Sequence, residues 1–171
     1  DYEKKLLIIG VFHGDETQGE YFINSYLDKA PKKGKNSIYF IPKLNPSGVR
    51  KNLNGVDLNR NFPTKNWELG DISSDYYGGS APKSEIETSF LVDLINENNF
   101  SAIITIHAPY KTVNYDGPAE TLAKKILITS PYLSAYFSYT KNKVAHPIFE
   151  KSHLIESETK TIISFKNFFL P

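Results

Sequence analysis

Three residues in this chain stand where aliphatic runs end, and together they have the donor types of a metal site. His13 and Glu16 lie in His-Gly-Asp-Glu directly after the apolar residues 6–12, and His107 follows the short apolar run 102–106. A tight turn can aim an imidazole and a carboxylate three residues apart at one point. If the two runs are neighbouring parallel strands, their carboxyl ends converge and His107 joins the pair. Two imidazoles and one carboxylate leave a fourth position for water, as in a catalytic zinc centre rather than a closed structural one. Taken alone, a histidine at a strand end is more often a hydrogen-bonded structural residue. The shared placement after strands is what joins the three. The chain has no cysteine, so histidines and carboxylates are its only strong ligands for such an ion.

A second set is cationic. Arg60 follows Asn59 in Gly-Val-Asp-Leu-Asn-Arg-Asn-Phe-Pro at residues 55–63, and Arg50 precedes Lys51-Asn52. A guanidinium's planar fork meets both oxygens of a carboxylate, so Asn59 and Arg60 suit a substrate with a free carboxylate. The alternative is that Arg60 is a surface cation paired with Asp57. Asp57 and Asn61 are expected to hold the loop rather than touch substrate.

The elements that must position these groups can be read around them. Residues 5–12 read as a buried strand, and Phe22, Ile23, Tyr26 and Leu27 recur at helical spacing before a break at residues 31–35. Residues 37–44 read as a second strand, and residues 45–80, rich in Asn, Gly, Pro, Asp and Ser, as a long irregular excursion. Ser84 and Glu87 have capping-box form, with Ile86, Phe90, Leu91, Leu94 and Ile95 as the apolar face of the helix that follows. Residues 102–106 form another strand and residues 119–126 another helix. This alternation predicts an α/β fold, a three-layer α/β/α sandwich around a mixed, largely parallel sheet, with ligands bound at strand carboxyl ends. One domain over residues 1–171 is expected.

Composition excludes more than it names. Twenty Lys and Arg against nineteen Asp and Glu leave a formal charge of +1, so no global field points to nucleic acid or an anionic membrane surface. No apolar run approaches the length that spans a bilayer, so a soluble chain without membrane insertion is expected. The chain contains no methionine, initiator included, so either a processed chain or a longer native sequence is expected.

With these blocks in hand, the sequence resembles the zinc carboxypeptidase family M14, and within it the bacterial murein peptide amidase and D,L-carboxypeptidase branch. The resemblance runs in order through Gly-Val-Phe-His-Gly-Asp-Glu at 10–16, Asn-Pro-Ser-Gly at 45–48, Arg50-Lys51-Asn52, the 55–63 motif, residues 77–88, Ile-His-Ala-Pro at 106–109 and residues 114–119. It implies one Zn2+ per chain held by His13, Glu16 and His107, a substrate carboxylate gripped by Asn59 and Arg60, and Arg50 stabilising the oxyanion. It further implies a late glutamate as general base. Glu150, behind Ser138-Tyr139 and His146-Pro147, matches best, although the family has a few more residues before its glutamate. An ordinary surface carboxylate is the alternative for Glu150, and Glu156 and Glu158 compete with it. Tyr139 is a candidate hydrogen-bond donor to substrate.

The implied function is hydrolysis of an amide bond in small cell-wall peptides, such as the γ-D-glutamyl–diaminopimelate bond. The alternatives are a D,L-carboxypeptidase trimming peptidoglycan side chains, a related deacylase, or a zinc-binding module that holds peptide without cutting it. Murein peptide recycling would favour the cytoplasm over the periplasm.

Overall fold

The computed structural model describes residues 4–29, 34–108, 112–116, 120–129 and 161–166. In chain order its elements are β1 (Lys5–Gly10), α1 (Gln18–Leu27), β2 (Ser37–Ile41), a 3-10 turn (Leu58–Arg60), α2 (Ile86–Glu97), β3 (Ala102–His107), β4 (Thr112–Asp116), α3 (Glu120–Thr129) and β5 (Thr161–Lys166). The strands form one sheet in the order β2-β1-β3-β5-β4. β1 pairs in parallel with both β2 and β3, β3 pairs in parallel with β5, and β4 is antiparallel to β5. The two aliphatic runs that end in histidine are thus direct neighbours, with Gly10 opposite Ile106. Central parallel strands are covered on both faces, which is why β1 and β3 read as nearly continuous aliphatic runs.

Side-chain alternation assigns the two faces. Leu7 and Ile9 of β1 and Ile103 of β3 pack with Leu91, Val92 and Ile95 of α2 in one buried cluster, joined by Phe12, Leu44, Leu58 and Phe62 from the loops. Burying one such aliphatic side chain contributes about 1.5–3 kcal/mol, so this cluster is the main attachment of α2 to the sheet. On the opposite face α1 comes so close that a Cβ on Gly10 would stand 2.8 Å from the Gly19 carbonyl carbon and 2.6 Å from the Pro42 oxygen. Two glycines therefore let helix and strand meet backbone to backbone. Helix, sheet and helix make the three layers that the alternation of elements predicts.

The start of α2 differs from the sequence expectation. Its N-cap is Glu85, without a side-chain cap. The Ser84 hydroxyl accepts a hydrogen bond from Asn61 Nδ2 and donates to Glu85 Oε1, so it does not close a capping box with Glu87. Asn61 does the work instead, its Oδ1 accepting the Glu85 N–H. The apolar face is also rotated. Leu91, Val92 and Ile95 are buried, whereas Ile86 is 80% exposed and Phe90 55% exposed.

The excursion from residue 45 onward is irregular, as its composition predicts, but it is tightly bound. Asn61 Nδ2 donates to the Gly78 and Ala81 carbonyls, and Asn52 Nδ2 and Asn54 Nδ2 both donate to Glu85 Oε2. Polar side chains take over the role that a regular ladder plays elsewhere.

Candidate metal centre

The site begins with a bend at the end of β1. Val11 has φ +55°, a left-handed conformation that is costly for a β-branched residue and persists only where neighbours hold it. Here the Asn45 N–H donates to Val11 O at 2.9 Å, and the Leu44 N–H to Gly10 O at 3.1 Å. The chain then folds into a turn closed by the Glu16 N–H on His13 O, while the Gly14 N–H donates to Val49 O. No side chain fits at Gly14, where a Cβ would stand 2.6 Å from Val49 O. The turn sets His13 and Glu16 side by side at the carboxyl end of β1, next to His107 at the end of β3.

The three side chains converge. Glu16 Oε1 is 2.8 Å from His13 Nδ1, and Glu16 Oε2 is 3.0 Å from His107 Nδ1. Among the described residues they are the one group of three donors able to share a metal ion, with ligand atoms within 4.8 Å of one another. Donors bound to one zinc at about 2.0–2.2 Å stand little more than 3 Å apart, so the arrangement fits such an ion. Phe12, fully buried, stacks on His107 at a centroid distance of 5.2 Å and fixes that ring.

Charge balance follows from the same contacts. Burial pushes the Glu16 carboxyl up, but hydrogen bonds and charge from His107 and His13 outweigh it, and the net value falls to about 2. Burial pulls the His13 imidazole down, yet Asp57 and Glu16 together prevail and the net shift is upward. Asp57, itself fully buried, keeps its carboxyl low by pairing with His13, against the cost of burial.

Asp57 is the residue whose part the sequence understated. It caps the 3-10 turn by accepting the Asn59 N–H, the loop-holding role expected of it. The same oxygen lies 3.1 Å from His13 Nε2, and Oδ2 accepts from Arg50 Nη2 at 2.7 Å. An imidazole that donates Nε2–H to a carboxylate has the Nδ1 lone pair available to a metal ion, so Asp57 favours the tautomer suited to that ligand role.

Arg50 makes a close ion pair with Asp57, at 2.7 Å. Arg60 is only 9% exposed, and its Nη1 donates to Asn59 O. Burial lowers the pKa of Arg60 and Arg50 adds to this, with Asp57 and Tyr76 opposing; it stays a cation at neutral pH. Both guanidinium groups lie over the Tyr76 ring, Arg50 Cζ at 4.8 Å and Arg60 Cζ at 5.6 Å from its centroid. A cavity of about 180 Å³ beside Arg60 is also lined by Trp67, Glu68 and Tyr76.

His13, Glu16, His107, Arg50, Asn59 and Arg60 thus fall in one region. Glu150 and Tyr139 lie outside the described residues, as do Glu156 and Glu158. Tyr76 and Trp67 were not legible as neighbours of the arginines, because their loop has no periodicity that would reveal the fold-back.

Comparisons with known proteins bear on this site. Residues 2–145 match the family described as zinc carboxypeptidase. Murein peptide amidase A of Escherichia coli K12 is 31% identical over 119 residues, 60% of this chain and 48% of that protein. The Vibrio campbellii protein of the same name is 32% identical over 133 residues, 69% of this chain and 53% of its own. Gamma-D-glutamyl-L-diamino acid endopeptidase 1 of Lysinibacillus sphaericus is 36% identical over 75 residues, 40% of this chain and 19% of that protein. The chain thus spans about half the length of the murein peptide amidases it matches. Among solved structures, thrombin-activatable fibrinolysis inhibitor superposes with a TM-score of 0.72 at 21% identity, over 97% of this chain and 54% of that one. The murein-tripeptide amidase of E. coli O157 superposes with a TM-score of 0.64 at 22% identity, over 97% and 73%. At these identities the structural likeness establishes the fold.

Proposed function

This chain belongs to the zinc carboxypeptidase family, and from that membership we propose that it holds one zinc ion through His13, Glu16 and His107 and hydrolyses an amide bond in a small peptide with a free carboxylate. The observation that carries this reading is the Asp57 bridge. One buried carboxylate meets His13 on one side and Arg50 on the other, tying the metal-binding group to the arginine pair.

Zinc in this position supplies Lewis acidity toward a carbonyl and toward water. The chain's own residues divide the remaining work. Arg60, with Asn59 beside it, receives the substrate carboxylate in its planar fork. That anchor orients the adjacent amide toward Arg50, whose fixed charge meets the negative charge developing on the carbonyl oxygen, an effect typically of about 10²–10³ in rate. Glu150 takes the proton from the attacking water and passes it to the leaving amine. The names of the relatives support a murein peptide as substrate and the bond between γ-D-glutamate and a diamino acid as the one cut.

Incubation of zinc-loaded protein with murein tripeptide is expected to release the diamino acid. Glu150→Gln should abolish release while zinc and peptide still bind. A folded, loaded wild type that binds the tripeptide without releasing a product would replace hydrolysis by the binding-module reading; activity surviving in Glu150→Gln would move the base elsewhere.

A further inference from the structure

We propose that Tyr76 is a positioning residue that holds Arg50 and Arg60 as one rigid pair. The inference rests on the reading of those arginines as substrate-facing groups. Two guanidinium groups that share one neighbour repel each other, and the buried carboxylate of Asp57 accepts a hydrogen bond from Arg50 Nη2. The face of an aromatic ring also carries negative potential, and Tyr76 offers it to both cations, at 4.8 Å and 5.6 Å. One ring in contact with two long, rotamer-rich side chains fixes their separation as well as their charge.

The backbone around Tyr76 is built to hold it there. The Tyr76 N–H donates to Ser74 Oγ, and the Asp57 N–H donates to Tyr77 O at 2.8 Å, which links this segment to the loop that carries the arginines. Arg50 Nε donates to Asp75 O. Gly78 packs under Arg60 so closely that a Cβ would stand 2.7 Å from Arg60 O, and its carbonyl accepts from Trp67 Nε1 and Asn61 Nδ2. Tyr76 is half-exposed. Its exposed part borders the cavity shared by Arg60 and Trp67, the chain's single tryptophan.

The test compares Tyr76→Phe, which keeps the ring face, with Tyr76→Leu and Tyr76→Gln, which remove it. Arginine Nε–H resonances and their relaxation report guanidinium order, Trp67 emission reports binding of murein tripeptide, and kcat and KM report turnover. Phe should leave all of these within about twofold of wild type. Leu and Gln should release both guanidinium groups into fast motion and weaken tripeptide binding and kcat/KM by about five- to thirtyfold, the effect of one to two cation–π contacts, at an unchanged thermal midpoint. Arginine side chains that stay equally ordered without the ring would overturn the proposal, as would a Phe variant as impaired as Leu, since the hydroxyl would then be the acting group. Should wild type fail to bind tripeptide, the proposed function falls, and the relaxation data still decide whether Tyr76 orders the arginines.

Discussion

Against burial in both cases, His13 is shifted upward by Asp57 and Glu16, and Glu16 downward by His107 and His13, so metal binding here would be a proton exchange. With its pKa raised, His13 tends to carry a proton that a metal ion must displace, whereas Glu16, at about 2, is ionised at any working pH. The metal-free protein draws stability from protonated His13 below its ordinary value of 6.5, and loses it as pH rises through the raised native value. Zinc acts in the opposite sense. The rise in melting temperature on adding zinc should therefore grow between about pH 6 and pH 8, and calorimetry in two buffers should show proton release on the acidic side. Asp57→Asn removes the charge behind His13 and should cost about 10- to 100-fold in zinc affinity by chelator competition. The three candidate ligands, which the fold brings together, were legible from their place after aliphatic strands. The second function of Asp57 was not, because its contact with His13 spans 44 positions and depends on how the loop folds back.

Among the elements, legibility followed the range of the contacts that decide them. β1 and β3 are announced by aliphatic runs, but β4 and β5 are not, since Thr112–Asp116 is mostly polar and each finds its ladder only in a distant segment. The face of α2 was read only in part for a related reason: Leu91, Leu94 and Ile95 pack on the core as expected, but Ile86 and Phe90 do not. Its surface carries two apolar stripes, and only the shape presented by Leu7, Ile9 and Ile103 selects the one with Leu91, Val92 and Ile95. Gly10→Ala should force α1 off the sheet, because the new methyl meets backbone on two sides, and lower stability by about 1–3 kcal/mol in denaturant unfolding. Glu85 joins the excursion to α2. Burial opposes its charge, but hydrogen bonds from Asn52, Asn54 and Ser84 prevail and lower its pKa. Its contribution is thus full above its ordinary value of 4.5 and is lost as pH falls through the lower native value. Glu85→Gln should flatten that acid limb of the stability profile.

For the whole molecule, a metal that binds only the native state adds stability by mass action, about 2.7 kcal/mol at a hundredfold excess over Kd. For a chain of 171 residues this is a rise of roughly 5–11 °C in melting temperature, reversed by a chelator. The three-layer arrangement was legible as a whole because alternating strand and helix patterns allow few topologies, and right-handed parallel crossovers leave fewer still. The pairing of β1 with β3 has one further consequence, in time. Glu16 and His107 are 91 residues apart, so at about 5–20 residues per second the ribosome delivers the third ligand roughly 5–18 s after the second. Through that interval the nascent chain holds only two of the three candidate ligands. If these three residues hold the ion, its capture must wait for β3 to dock beside β1, and zinc would then act as a latch on a sheet already formed and not as the seed around which it folds.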